Sequence, residues 1–294
     1  MSLLAGDVAY PRPDWFERAL AQVPETGFVA VDGVDIEMLA WGRRGAPGLL
    51  LVHGYGAHAH WWAFIAPFLA DRFRVASLSF SGMGRSGWRD AYPATLYARE
   101  ILAVAEAAGL DLSGRPPALV GHSYGGAVAV TALAGNPGRF SRAVIVDSGL
   151  LSPKYRARQA SGEPMRPHRV YPDLDSALRR FRFLPEQGTD NLFIADYIAR
   201  QSLKPVAGGW TWRFDPNLGT NRSMEDLAPL LALLDCPLGF IRGGDSTVLS
   251  PEEFAAIRAL QPNAQAREIE GAAHHVMVDR PLQLIDALDA MLAG

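Results

Sequence analysis

Cysteine is almost absent from this chain, since Cys236 is its single thiol among 294 residues. One cysteine excludes an intrachain disulfide framework, and no cysteine-centred motif surrounds it, so we expect Cys236 to pack as a small hydrophobe. A strong charge of either sign is also missing, because the formal net charge is only −3. The composition therefore gives no indication of nucleic-acid binding.

Long hydrophobic runs are lacking as well. No stretch approaches the roughly 18 apolar residues of a membrane-spanning helix, and residues 1–15 lack a basic leader followed by an apolar core. The sequence predicts a cytoplasmic chain that acts on a small-molecule substrate, with no nucleic-acid or membrane partner. A homodimer is compatible with these features.

Patterns for metal and cofactor binding are missing too. His58 and His60 are two positions apart, which does not place them on one helix face, and no cysteine or carboxylate cluster supports them. Glycine-rich fingerprints for dinucleotides or for a phosphate-binding loop do not occur. We therefore predict no metal and no cofactor.

Buried strands alternating with helices are what the chain does contain. The pair 27–31 and 34–41 flanks Asp32-Gly33, a dipeptide suited to a tight hairpin turn. Apolar runs that suit strands buried on both faces follow at 48–54, 73–80, 117–121, 143–147 and 237–243. Helical-period stretches separate them, so we predict an α/β fold with a mostly parallel sheet covered by helices on both faces.

The alternation stops between residues 150 and 223. This 150–223 segment has helical patches and prolines, and it carries twelve Lys or Arg against seven Asp or Glu, a charge of +5. A solvated helical surface accounts for such a charge. We predict a core formed by 1–149 and 224–294, with 150–223 as an inserted, mainly helical cap.

A serine between glycines marks the centre of the chain. Residues 121–125, GHSYG, satisfy G-x-S-x-G and lie between an apolar strand and a helical stretch, which is the context this motif requires. Small neighbours allow the sharp turn that presents the Ser123 hydroxyl to a substrate. Such a serine needs a base and an orienting group, for which the order is serine, acid, histidine. Asp245, then His274 or His275, stand in that order, each in a loop after a strand.

These residues resemble the α/β-hydrolase fold family in its cap-bearing subgroup of serine hydrolases. The likeness covers 27–149 and 224–294, and its motifs occur in the family's order: HGYG at 53–56, GMGRS at 82–86, GHSYGG at 121–126, Gly-Asp at 244–245 and G-x-x-H at 271–274. The chain departs from the family at Ser79, where relatives have Asp, and at Ala273, where they have Gly. Neither position belongs to the triad.

The resemblance implies a role for each site residue. Ser123 is then the nucleophile, His274 the base and Asp245 the acid, with His275 and Asp147 as alternatives for the last two. The backbone N–H groups of Tyr55 and Tyr124 are expected to form the oxyanion hole.

Aromatic residues are candidates for an apolar substrate pocket. Those selected are Trp61, Trp62, Trp210 and Trp212. The alternative for any of them is the small core of the cap itself.

The sequence thus predicts a cofactor-independent serine hydrolase, a carboxylic-ester hydrolase that acts through an acyl-enzyme on a small to medium apolar substrate. A C–C bond hydrolase of the ring-cleavage type stays open because the 150–223 segment is basic, as do a lactonase, an amidase and a thioesterase. A ligand-binding receptor on the same scaffold is the non-enzymatic alternative.

Overall fold

An eight-stranded sheet forms the centre of the computed structural model, which describes residues 2–6, 8–152, 168–219 and 226–293. Its strands are β1 (Glu25–Val31), β2 (Val34–Trp41), β3 (Gly48–Val52), β4 (Arg74–Leu78), β5 (Ala118–His122), β6 (Arg142–Val146), β9 (Leu238–Gly243) and β10 (Gln265–Ile269), and a separate antiparallel hairpin contains β7 (Leu203–Val206) and β8 (Gly209–Trp212). The order in the large sheet is β1-β2-β4-β3-β5-β6-β9-β10. Strand β2 runs antiparallel to β1 and β4, and the remaining pairs are parallel.

Helices cover both faces of this sheet. They are α1 (Asp14–Ala21), α2 (Ala66–Leu69), α3 (Ala94–Ala107), α4 (Tyr124–Gly135), α5 (Leu174–Leu178), α6 (Leu192–Gln201), α7 (Leu227–Leu233), α8 (Pro251–Leu260), α9 (Val276–Asp279) and α10 (Pro281–Leu292), and a 3-10 turn spans Ala59–Trp62. The predicted α/β class is confirmed. Within the described ranges, no helix has the length and apolar character needed to cross a membrane.

Burial explains why the strands could be predicted. Every residue of β3, β4 and β5 is buried, because helices lie on both sides of these central strands. The β1–β2 turn occurs at Asp32-Gly33, as expected, with φ values of 47° and 77°. Strand β10 lies at the sheet edge with four of its five residues exposed, so it has no apolar run.

The 150–223 segment adds no strand to the large sheet within its described part. The sequence predicted a mainly helical segment, and the described residues 168–219 form the helices α5 and α6 together with the β7–β8 hairpin. Its buried side chains, such as Phe183 and Ile198, pack in one hydrophobic cluster with Trp61 and Met277. The boundaries of the cap, and its role as a cap, stay predictions.

Candidate active site

Ser123 lies in the sharp turn between β5 and α4. Its φ of 54° and ψ of −122° are strained for a residue with a side chain. Glycines make the turn possible: a Cβ on Gly121 would lie 2.6 Å from the carbonyl oxygen of Gly125, and one on Gly125 would lie 2.4 Å from that of His53. The expected reason for the small neighbours is therefore confirmed.

His274 contacts Ser123 directly. Its Nε2 lies 2.9 Å from Ser123 Oγ, and its Nδ1 lies 2.7 Å from Asp147 Oδ2. A carboxylate only accepts hydrogen bonds, so Nδ1 carries the proton and Nε2 faces the serine as an acceptor. This arrangement can take a proton from Ser123 and stabilise the charged imidazole that results.

Asp147, which follows β6, occupies the place expected for Asp245. Its carboxylate is completely buried and accepts from the Gly243 N–H at 3.0 Å and from the Ser246 hydroxyl at 2.6 Å, in addition to His274. Asp245 is exposed, and its backbone N–H donates to Ala272. The expected contact of Asp245 with His274 is therefore wrong. Strands β6 and β9 are parallel neighbours, so their following loops lie side by side, and spacing alone cannot tell which carboxylate turns inward.

Two further imidazoles surround His274. His122 directs Nε2 to the carbonyl oxygen of His274 at 2.9 Å, and its ring centroid lies 4.9 Å from that of His274. His275 packs 4.8 Å from His274, ring to ring, and its side chain has no hydrogen bond to Ser123 or Asp147. Burial holds the pKa of both His122 and His275 well below the usual range, so both are neutral at pH 7. The preference for His274 over His275 agrees with this geometry.

The expected oxyanion donors flank the serine. Tyr124 is the first residue of α4, where backbone N–H groups carry partial positive charge. Tyr55 follows Gly54, on which a Cβ would lie 3.1 Å from Ser123 Cβ. His53 holds this loop, since its Nδ1 lies 2.7 Å from Gly54 O and its Nε2 accepts from the Phe80 N–H at 3.0 Å. Burial lowers the pKa of His53 to about 4, which keeps it neutral in this role.

Glu37 supplies a carboxylate beside Ser79, the position where the family resemblance implies an Asp. Its buried carboxylate accepts from Ser79 Oγ at 2.7 Å and from the Arg85 N–H at 3.0 Å, so it holds the 82–86 loop from strand β2. Burial alone would raise the pKa of Glu37, but the nearby His60 imidazole, with Nε2 3.5 Å from Glu37 Oε1, and the hydrogen bond from Ser79 outweigh it and bring the value to about 2. Sequence reasoning missed this residue because it is 42 positions from Ser79.

The 150–223 segment contacts the loop that carries His274. Gln187 accepts from the His275 N–H at 3.0 Å and donates to Asp279 at 3.0 Å, and Asn191 donates to the carbonyl oxygens of Val278 and Asp279. Asp279 also accepts from the Ala273 N–H at 2.8 Å. The loop that carries His274 is therefore held from two sides.

The four selected tryptophans separate into different surroundings. Trp61 packs against His275 with ring centroids 5.1 Å apart, beside the site. Trp62 is fully buried in the core. Trp210 and Trp212 lie on β8, where Trp212 packs against Phe181. Of the four tryptophans, Trp61 is the one that packs against the loop carrying His274 and His275.

Comparison with known proteins agrees with this architecture. The sequence profile of the Alpha/beta hydrolase family matches residues 49–287. The chain belongs to this family. A pimeloyl-[acyl-carrier protein] methyl ester esterase of Edwardsiella ictaluri is similar to it, with 31% identity over 267 residues that cover 85% of this chain and 95% of the relative.

Two other proteins resemble the chain more distantly. Esterase Rv0045c of Mycobacterium tuberculosis is 25% identical over 272 residues, which cover 87% of this chain and 86% of the relative. The crystal structure of E-2-(acetamidomethylene)succinate hydrolase superposes with a TM-score of 0.76 at 20% identity and covers 92% of this chain and 100% of the neighbour. The relatives from Edwardsiella ictaluri and Mycobacterium tuberculosis are both named as esterases. The likeness to the succinate-derivative hydrolase is one of fold alone.

Proposed function

We propose that this protein is a serine ester hydrolase that acts through an acyl-enzyme, with Ser123, His274 and Asp147 as its triad. The observation that carries the proposal is the continuous set of hydrogen bonds from Ser123 Oγ through His274 to Asp147. The esterase relatives support the choice of an ester bond.

The first half-reaction transfers the acyl group to the enzyme. Ser123 Oγ attacks the ester carbonyl carbon while His274 Nε2 takes the hydroxyl proton, and the carbonyl electrons move to oxygen. The N–H groups of Tyr55 and Tyr124 stabilise this oxyanion. Collapse of the tetrahedral intermediate breaks the ester C–O bond, and His274 returns the proton to the leaving alcohol.

Water then releases the acid. His274 takes a proton from water, the hydroxide attacks the acyl carbon, and the second collapse restores Ser123 with its proton. Asp147 stays ionised and holds His274 in the tautomer that both steps require. The charge on the imidazole is balanced by the buried Asp147 carboxylate.

An apolar acyl group suits the residues next to the triad. Trp61 and Phe183 pack around His275, and the buried imidazoles of His122 and His275 are neutral. An ionised substrate group would lose its hydration among such neighbours. These surroundings favour a neutral ester over an anionic substrate. They therefore argue against the C–C hydrolase alternative, which was kept open because the 150–223 segment is basic.

A panel of p-nitrophenyl esters of different chain length tests the proposal. The wild-type protein should hydrolyse short to medium esters, and Ser123→Ala should lower kcat by on the order of 10⁶-fold with an unchanged thermal transition, as for other triads. Esterase activity retained in Ser123→Ala would refute the mechanism. A wild-type protein inert toward esters, lactones, amides and thioesters would favour a ligand-binding receptor.

A further inference from the structure

The backbone on both sides of His274 is held by polar side chains. The N–H of Ala273, just before it, donates to Asp279 Oδ2 at 2.8 Å. The N–H of His275, just after it, donates to Gln187 Oε1 at 3.0 Å. Gln187 Nε2 in turn donates to Asp279 Oδ2 at 3.0 Å. One amide and one carboxylate oxygen therefore bind each other and the two peptide groups that flank His274.

The contact with His275 fixes the direction in which the Gln187 amide points. A backbone N–H only donates, so the amide oxygen faces His275 and the amide nitrogen faces Asp279. Asp279 Oδ2 accepts from two N–H groups and therefore carries no proton. A glutamate at position 187 would face this carboxylate with a like charge, and an apolar side chain would leave the His275 N–H without its partner. An amide satisfies both partners at once.

Gln187 comes from a distant part of the chain, the 150–223 segment, 88 positions before His275. The same segment reaches the loop a second time through Asn191, whose Nδ2 lies 2.8 Å from the carbonyl oxygen of Val278 and 3.1 Å from that of Asp279. Those two carbonyls belong to helix α9. Asn191 therefore holds α9, whereas Gln187 holds the peptide group next to His274.

The position of His274 decides whether the proposed reaction can begin. Its Nε2 lies 2.9 Å from Ser123 Oγ while its Nδ1 lies 2.7 Å from Asp147 Oδ2, so the imidazole satisfies two distances at once. Misplacement of a reacting group by about 1 Å can lower a rate by about 10²-fold. A contact that fixes the backbone beside His274 therefore bears on the rate without touching the substrate.

We propose that Gln187 is a positioning residue, which keeps His274 where it can take the proton of Ser123. The proposal rests on the proposed function, because it assigns His274 as the base. Gln187 acts through the peptide N–H of His275 and through Asp279. The 150–223 segment thereby supplies part of the support on which the triad depends.

Other contacts limit the expected effect of losing Gln187. His122 Nε2 still bonds the carbonyl oxygen of His274 at 2.9 Å, and the Ala273 N–H still donates to Asp279. Removal of the Gln187 amide should therefore lower kcat by roughly 10- to 100-fold, far less than the loss of a triad member. KM should stay within about twofold, because the change displaces the base and leaves the apolar surroundings of the acyl group in place.

Steady-state hydrolysis of one p-nitrophenyl ester tests this expectation with matched variants. Gln187→Leu offers neither a donor nor an acceptor, and Glu186→Gln changes the neighbouring exposed side chain as the control. Thermal unfolding verifies that both are folded. The kcat of Gln187→Leu should fall with KM unchanged, and Glu186→Gln should match wild type within about twofold. An unchanged kcat in Gln187→Leu, or a rise in KM without a fall in kcat, would overturn the positioning role.

A second pair of variants tests the contact between Gln187 and Asp279. Gln187→Glu keeps an acceptor for the His275 N–H but faces Asp279 with a second negative charge, so kcat should fall at least roughly tenfold. In an Asp279→Asn background the repulsion is absent, and the same change should lower kcat by less than about threefold. Equal losses in the two backgrounds would contradict a direct contact between the side chains.

Backbone hydrogen exchange, followed by NMR, tests the support of the loop without an activity assay. The His275 N–H should exchange at least roughly tenfold faster in Gln187→Leu than in wild type or Glu186→Gln, and the Ala273 N–H should change less. An unchanged His275 exchange rate would overturn the proposal. A wild-type protein that hydrolyses no ester would refute the proposed function, whereas an active protein whose kcat is unchanged in Gln187→Leu would refute the positioning role alone.

Discussion

At the scale of single residues, Ser123 and Asp147 share a feature that the sequence pattern does not display. Both have a positive φ, 54° and 43°, in the loops that follow adjacent strands β5 and β6. The G-x-S-x-G spacing predicts the first, because the flanking glycines can be read directly. The conformation of Asp147 cannot be predicted in this way, because it requires knowledge of which carboxylate turns inward. That choice depends on Gly243 and Ser246, which bind the Asp147 carboxylate from almost a hundred positions away.

The choice of acid is tested by matched amide substitutions. Asp147→Asn should lower kcat by roughly 10⁴-fold, because an amide in contact with Nδ1 no longer favours the productive tautomer of His274. Asp245→Asn should change kcat less than twofold, since that side chain is exposed. Steady-state kinetics on one ester measure both, and a larger loss in Asp245→Asn would return the role to Asp245.

The two histidines are distinguished in the same way. His274→Ala should be about as damaging as Ser123→Ala, because members of a triad act as a unit and their losses do not add. His275→Ala should cost far less, since its ring contacts neither Ser123 nor Asp147 through a hydrogen bond. Comparison of kcat for the two variants, both verified as folded, is the measurement, and the reverse ranking would assign the base to His275.

At the scale of elements, the buried strands and the first hairpin were predictable because apolar runs and Asp32-Gly33 are local signals. The β7–β8 hairpin was missed because its four-residue strands are only partly buried and contain Pro205. The support of the 82–86 loop was missed for a different reason. Ser79 stands where the family resemblance implies an acid, and the carboxylate that holds the loop comes from Glu37 on strand β2.

The Glu37 contacts predict a pH-dependent contribution to stability. The pKa of Glu37 is lowered from 4.5 to about 2, so its ionised form stabilises the fold above pH 4.5, and this stabilisation is lost as the pH falls toward 2. Glu37→Gln should therefore lower the free energy of unfolding at pH 7 by on the order of 3 kcal/mol. The difference from wild type should shrink below pH 4.

Urea unfolding at pH 7 and pH 3.5 measures this contribution. Glu106→Gln on α3 is the control, because that side chain is exposed, and it should change the free energy of unfolding by less than about 0.5 kcal/mol. A Glu37→Gln protein as stable as wild type at pH 7, or a difference that grows at low pH, would contradict the support of the loop by an ionised Glu37.

At the scale of the whole molecule, the uneven distribution of charge bears on substrate choice. The 150–223 segment is +5 against −8 for the rest of the chain. Lys154, Arg156, Arg158 and Arg166, which could bind an anionic substrate, lie outside the described residues, and Arg169 is exposed. The aromatic rings packed against His274 are the imidazoles of His122 and His275, which burial keeps neutral, and the Asp147 carboxylate is hydrogen-bonded to His274 itself.

Neutral p-nitrophenyl butyrate should therefore react faster than an analogue with a terminal carboxylate. Added salt should barely change its rate, since a neutral ester gains little from electrostatic steering. Initial rates at low and high salt are the measurement. A several-fold preference for the carboxylate analogue that salt removes would instead favour the C–C hydrolase alternative.

Covalent labelling with a fluorophosphonate, followed by peptide mass spectrometry, tests the central claim most directly. An activated serine displaces fluoride and keeps the phosphonyl group, whereas an ordinary serine does not react. We expect one phosphonyl group per chain, on Ser123, with labelling almost abolished in His274→Ala. A folded wild-type protein that takes up no label, or takes it up on another serine, would contradict the claim that Ser123 is a nucleophile activated by His274.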